Sequence, residues 1–315
     1  MHDMKAETKG LWLGLLGVAI FALTLPMTRL ATGTVEAPQL SPWFVTFGRA
    51  ALAGGLSAAY LLAVRAPWPQ AAQRNSLWLS LAGNAIGYPL LLGWALRHVT
   101  ASHAAVITAL LPLATAAAAA WLMHQRARMG FWVFACLGSA LVALYSLLRA
   151  HQAGHGLGLS WADGLLLGAV VAASLGYVAG AKITPSLGSE KVISWVCVMA
   201  LPITLPGTWL TWPAHPIAAS SWLALLYVEV FSMWAGFFAW YRGLAIGGAL
   251  RVSQTQLLQP FFSILAAVPL LGEALDPVHF RMAAGERIDL YLIKDLLEYQ
   301  RDDQGLILTP PRLFV

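Results

Sequence analysis

The chain has 315 residues, of which 59% are hydrophobic and only 10% charged, and its mean hydropathy is +0.68. Soluble domains carry about 25% charged residues, so the composition excludes a soluble globular domain. The net charge of +5 comes without a basic cluster, which argues against a nucleic-acid partner and leaves the lipid bilayer as the surrounding medium.

In chain order, apolar runs are predicted to span at 11–30, 43–64, 76–96, 102–122, 130–149, 161–181, 192–210, 221–243 and 252–271. Each is about 20 residues long, enough to cross ~30 Å of hydrocarbon as a helix. Barrel strands would be half as long and would alternate, so the fold class is an all-α polytopic membrane protein. Lys5 and Lys9 ahead of the first run imitate a signal peptide. No small-residue cleavage site follows cleanly and the run continues to about Leu30, so it reads as an uncleaved first span. Lys and Arg in alternate loops number ten on the side of the N-terminus (Lys5, Lys9, Arg65, Arg74, Arg126, Arg128, Lys182, Lys191, Arg242, Arg251) and three on the other (Arg29, Arg97, Arg149). The richer side is expected to be cytoplasmic, with the N-terminus inside.

Cys136 and Cys197 lie inside apolar runs without metal-ligand spacing and read as small core residues. The eight histidines are scattered, with no HExxH pair, and no nucleotide-binding motif is present. Neither a cofactor nor a metal is expected, and ATP is not the direct energy source.

The chain repeats itself. WALRHVTASHAAVITALLPLATAAAAAWLMHQ (94–125) aligns with RGLAIGGALRVSQTQLLQPFFSILAAVPLLGE (242–273) at a shift of 148 residues, pairing Thr108 with Gln256, Pro112 with Pro260 and Gln125 with Glu273. An odd number of spans, five, separates the paired elements, so the halves face opposite ways. Inverted repeats are a transporter architecture with the binding site at their interface near the midplane. The expected division is a first half over 1–150, a second over 151–277 beginning in the Gly/His-rich HQAGHGLGLS, and a tail over 278–315. Symmetry calls for two five-helix repeats and a tenth span. The tail instead holds 11 of the chain's 33 charged residues. Over 286–300 it reads as an amphipathic helix with Ile288, Leu292, Ile293, Leu296 and Leu297 on one stripe. Charges cost several kcal/mol each at the bilayer centre, so this tail reads as a non-native or frame-altered end in preference to a natural peripheral helix.

Polar residues inside spans are the candidates for function. In GNAIGYPLLLGWAL (83–96), Asn84 and Tyr88 are four apart and share a helix face. An unpaired amide in lipid costs several kcal/mol, so both must face the interior, either as an interhelical hydrogen bond or as a cavity wall. Pro89 frees a carbonyl near Ala85 and is a hinge candidate. On the ninth span Ser253, Gln256, Pro260 and Ser263 fall on one face, with repeat partners Ala105, Thr108, Pro112 and Thr115. Thr108 and Gln256 join the substrate-binding candidates, and Pro112 and Pro260 the hinges. Gln254, on another face, is a further candidate, as are Ser174 and Tyr177 at i, i+3. Glu229 is the carboxylate in the middle of a span and would bind a substrate ammonium, carry a proton, or pair with Arg49. Nine tryptophans near span ends fit an interfacial belt. Trp94, Trp234 and Trp240 fit it less well, and for them both an aromatic cavity wall and packing stay open.

The stretch NAIGYPLLLGWALRHVTASHAAVITALLPLATA resembles an EamA-type half of the drug/metabolite transporter superfamily, and ALRVSQTQLLQPFFSILAAVPLLGEAL resembles it in the second half. The resemblance covers residues 10 to 277 and is nearest to the YddG-type bacterial aromatic amino-acid exporters. It implies ten helices in two inverted halves around a central cavity, and export of amino acids or related metabolites. Met123, His124 and Gln125 stand where a Gly-Glu pair is common in the family. The expected function is therefore an inner-membrane exporter of aromatic and other neutral amino acids or related small molecules, monomeric or homodimeric, working by alternating access. A drug or other metabolite exporter of the same superfamily, a channel or a membrane-embedded enzyme are the alternatives.

Overall fold

The computed structural model describes residues 2–124 and 160–273, together with Trp132, Val133 and Leu137. The predicted span over 130–149, Cys136, most of the Gly/His-rich linker and the tail over 278–315 lie outside the described residues.

Among the described residues, eight helical segments are long and apolar enough to cross a membrane: α1 (Ala6–Thr32), α2 (Pro42–Ala63), α3 (Ala71–Leu96), α4 (Ala101–Leu122), α5 (Trp161–Leu187), α6 (Ser189–Leu210), α7 (Ala219–Gly247) and α8 (Ala249–Leu271). They match eight of the predicted spans. Several starts are set by local chemistry. Ser41 accepts from the Phe44 amide ahead of Pro42 at the head of α2. Ser160 and Asp163 form a reciprocal capping box at the head of α5.

Four helices lose regular α geometry next to a proline, because proline lacks an N–H and its ring collides with the carbonyl one turn earlier. α1 is broken at Leu23, ahead of Pro26. α3 widens to a π-helix over Leu81–Gly87, ahead of Pro89. α4 is broken at Ala109 and Leu110, ahead of Pro112, and α8 tightens to a 3-10 helix over Ser253–Leu258, ahead of Pro260. α7 carries a second π-helix over Val228–Ala235 without a proline. The 148-residue shift carries Leu81–Gly87 onto 229–235, so the two π segments occupy the same place in the two halves.

Packing follows the repeat. α1 runs antiparallel to α7: a Cβ on Gly10 would lie 2.5 Å from the Gly247 Cα, and Gly17 packs on Trp240. α3 runs antiparallel to α5, with Gln73 donating to Ser186 at one end and Leu91 against Gly168 towards the other. The shift turns the first pair into the second. α2 packs antiparallel on its own repeat partner α6, with Phe47 at Gly207 and Leu201 at Gly54. The end of α8 meets the start of its partner α4. Close glycine contacts suit this setting, since helix association in lipid rests on van der Waals packing. α4 and α5 begin at the same end of the bundle, where His103 meets Asp163. The second half is therefore inverted relative to the first.

Trp12, Trp43, Trp68, Trp78, Trp161, Trp212 and Trp222 line the helix ends with exposed or half-exposed rings, in keeping with an interfacial belt. Trp195 departs from it: it is buried and packed against Trp68, with ring centroids 4.9 Å apart. Cys197 is buried and free of any disulfide.

Candidate functional site

A cavity lies at the centre of the bundle between the halves. Its polar wall is Thr24 from α1, Arg49 from α2, Asn84 and Tyr88 from α3, Tyr177 from α5 and Ser232 from α7. Phe21 and Phe237 complete it with apolar rings. Both π segments reach this point, one through Asn84 and the other through Ser232, which stand 148 residues apart. A π turn inside a helix is frequent at functional sites because it redirects side chains and loosens backbone bonding.

Each half contributes a polar network. The Asn84 amide donates to Tyr241 (3.0 Å) and to Ser80 (3.2 Å), and Ser80 and Tyr241 hydroxyls lie 2.8 Å apart. The Asn84 side-chain carbonyl has no hydrogen-bond partner among the described residues. Across the cavity, Ser232 is 2.8 Å from the Thr24 hydroxyl and accepts from Arg49 at 3.0 Å. Arg49 is 2% exposed, and its Nε and Nη1 have no hydrogen-bond partner. Its repeat counterpart in α6 is Cys197. The aromatic side is continuous: Tyr177 stacks near Phe21 with centroids 6.2 Å apart, and meets Trp240 edge-on at 5.5 Å and Phe237 at 5.8 Å. Trp240 thus backs this cluster as a fully buried ring.

The other candidates fall elsewhere. Thr115 lies 3.4 Å from both the Ser174 hydroxyl and the Gln256 carbonyl oxygen, making a second polar group among α4, α5 and α8. The Gln256 Nε2 and Gln259 Oε1 atoms there are buried and unpartnered. Thr108 bonds back to the Ala104 and Ala105 carbonyls of its own helix. Gln254 donates to Leu250, also on its own helix. Trp234 donates to Ser194 (3.2 Å) and packs edge-on against Phe238 on the α6 side. Glu229 is buried in the second π segment with a carboxylate oxygen facing Gly48, and it forms no ion pair with Arg49. Asn84, Tyr88 and Tyr177 are the candidates that share the central cavity. Thr24, Phe21 and Ser232 escaped the sequence reading, and Arg49 entered it only as a partner for Glu229. Ser232 was reachable, since it is the repeat image of Asn84.

Among the described residues, contacts tie helices together at both ends of the bundle. At the end holding the N-terminus, Glu7 pairs with Arg251, and Gly10 is pressed on Gly247. At the other end Glu273 accepts from the Ala101 amide (2.8 Å), the Ser102 amide (3.0 Å) and the Ser102 hydroxyl (2.5 Å), closing α8 onto the start of α4. Arg29 donates to the Leu96 carbonyl. His103 and Asp163 lie 2.7 Å apart. The cavity between these closures measures about 10 Å³, at the lower edge of what a single water needs. No group of His, Cys, Asp and Glu suited to a metal occurs among the described residues.

Residues 8–147 and 160–284 match the EamA-like transporter family. Over 274 residues the chain is 43% identical to the uncharacterized transporter YdeK of Bacillus subtilis (strain 168), covering 86% of this chain and 91% of that one. A solved crystal structure superposes with a TM-score of 0.66 at 21% identity, covering 93% of this chain and 99% of the other. That likeness speaks for the fold. With the same family matched once in each of two inverted helical halves, this multi-pass membrane protein belongs to the EamA-like transporter family.

Proposed function

We propose that this transporter exports amino acids, aromatic and other neutral ones, across the bacterial inner membrane by alternating access and without ATP, as the YddG-type exporters it resembles would. The observation that carries the reading is the central cavity, walled by polar groups from both halves beside four aromatic rings. Buried polar groups without partners are costly in a membrane interior, so a wall that keeps them points to a ligand that completes them. An aromatic flank suits an apolar or aromatic side chain. The broken helices, with Pro89, Pro112 and Pro260 as hinges, supply places where each half bends to open one end while the other stays shut. Asn84, Tyr88 and Tyr177 bind substrate directly. Ser174, Thr108, Gln254 and Gln256 line the route when the α4 and α8 side opens, and Trp234 and Glu229 act from α7. Glu229, without an ion-pair partner among the described residues, is the candidate for holding a substrate ammonium or a coupled proton. The end that holds the N-terminus faces the cytoplasm in this reading, supported by the Lys and Arg that cluster there. The halves divide at about residue 150, and the unit is a monomer or a homodimer.

Uptake of labelled phenylalanine into proteoliposomes, with threonine and methionine as competitors and with or without a pH gradient, tests the reading. Saturable uptake is expected, reduced about tenfold or more by Tyr88→Ala and clearly by Gln256→Ala. Folded protein with no uptake above empty liposomes would refute amino-acid transport and favour another metabolite class.

A further inference from the structure

The central cavity holds a charge that no carboxylate among the described residues neutralises at contact distance. Arg49 is buried mid-span on α2, where an unpaired cation is among the most expensive groups a membrane protein can keep. Of its guanidinium nitrogens, Nη2 donates to Ser232, while Nε and Nη1 donate to nothing in the described structure. Nε shares with Nη2 the edge that matches the two oxygens of a carboxylate, and Nε is unused there, as Nη1 is on the other edge. A structural arginine of this burial would show that edge filled by a side-chain carboxylate or by carbonyls. Glu229 makes no ion pair with it. Arg49 also lines the cavity, so the side chain that carries these buried, unused donors borders the space a ligand would enter. Asn84 lines the same space, and its side-chain carbonyl, packed against Gly176, is a buried acceptor without a donor among the described residues.

We infer that Arg49 is the carboxylate anchor of this transporter, so that its substrates are small molecules bearing a free carboxylate, with Asn84 offering the acceptor for a neighbouring amine. This rests on the transporter reading above and narrows it: amines, neutral drugs and sugars are excluded as substrates, and a carboxylate without an amine is retained.

Equilibrium binding to the purified full chain in detergent tests this, using phenylalanine, 3-phenylpropionate (carboxylate only), phenethylamine (amine only) and inorganic phosphate. Phenylalanine is expected to bind best, 3-phenylpropionate next, and phenethylamine at least about tenfold more weakly than 3-phenylpropionate. Arg49→Lys should weaken phenylalanine about tenfold, because a point charge replaces a planar fork. Arg49→Met should weaken it on the order of a hundredfold. Arg49→Met should nevertheless unfold at the same temperature or higher, since it removes a buried, unpaired charge. Phenethylamine binding as tightly as 3-phenylpropionate, Arg49→Lys binding phenylalanine unchanged, or Arg49→Met losing its fold would each overturn the assignment. Phosphate competing as strongly as 3-phenylpropionate would do the same, in favour of an inorganic anion. Flux measured in parallel separates the two readings. Carboxylate binding at Arg49 without flux leaves the anchor and refutes the transporter of amino acids. Phenylalanine flux indifferent to Arg49 leaves the transporter and refutes the anchor.

Discussion

At the scale of single residues, the site divides into groups that are satisfied and groups that are not. Ser80, Tyr241 and the Asn84 amide nitrogen are joined by hydrogen bonds of 2.8 to 3.2 Å, which ties α3 to α7, while the Asn84 carbonyl oxygen has no partner among the described residues. Interhelical hydrogen bonds of this kind in membranes contribute about 0.6 kcal/mol each. Tyr241→Phe should therefore lower unfolding stability by roughly 0.5–1.5 kcal/mol, with the loss read in a denaturant titration. An unchanged midpoint would show that Asn84 is held by packing alone. Gly176 explains why that network fits: a Cβ there would sit 2.5 Å from the Asn84 side chain. Asn84, Tyr88 and Tyr177 were legible because a polar group inside an apolar run must face inwards. Arg49 was legible as a lone basic residue within a span, but its missing partners were not, because hydrogen-bond satisfaction is a property of the assembled bundle. Trp234 and Gln254 show the converse. Their residue types suited a cavity, yet the structure gives one a partner on α6 and the other a carbonyl on its own helix.

At the scale of elements, interruption sets the character of the helices. The prolines announced trouble in α3, α4 and α8, since the missing N–H is visible in the sequence, whereas the break in α1 ahead of Pro26 was not read there. The form it takes was not visible: a π turn in α3 and a 3-10 turn in α8 differ by how neighbouring helices accommodate the backbone. The π turn in α7 has no proline to announce it, and the repeat alone points to it. Pro89→Ala restores a donor for the freed carbonyl near Ala85. It is expected to raise the unfolding temperature while slowing phenylalanine flux about tenfold, since a stiffer α3 bends less readily. Flux equal to that of the parent chain would remove Pro89 from the set of hinges.

At the scale of the whole molecule, the inverted halves close the bundle at two ends by different means. The N-terminal end uses backbone contact at Gly10 and Gly247 beside the Glu7–Arg251 ion pair, whereas the far end uses charge-assisted hydrogen bonds from Glu273 to the backbone at the start of α4. A carboxylate at a helix N-terminus also gains from the helix dipole, and losing such a cap costs about 1 kcal/mol. Glu273→Ala should therefore shift the population towards opening at that end. A membrane-impermeant maleimide should then label Thr108→Cys faster from outside, in a background without Cys136 and Cys197. Equal labelling rates would mean that Glu273 holds α4 in place without gating it. The two halves and their register were legible because the repeat is written in prolines and polar faces. The occluded state was not, since closure depends on contacts such as Glu273 to Ala101 that join residues far apart in the chain.

One feature of the central pair reaches further. α2 and α6 are each other's repeat image and lie against one another, and the position that is Arg49 in one is Cys197 in the other. Two identical halves, assembled as separate chains, would set two guanidinium groups opposite each other in a dry interior, where like charges repel by several kcal/mol. Joining the halves in one polypeptide lets a single arginine stand off the axis with a thiol across from it. The scaffold is symmetric, but the cavity carries a charged side chain on one side only, so a cargo held by Arg49 as inferred above would have a head and a tail for the whole crossing.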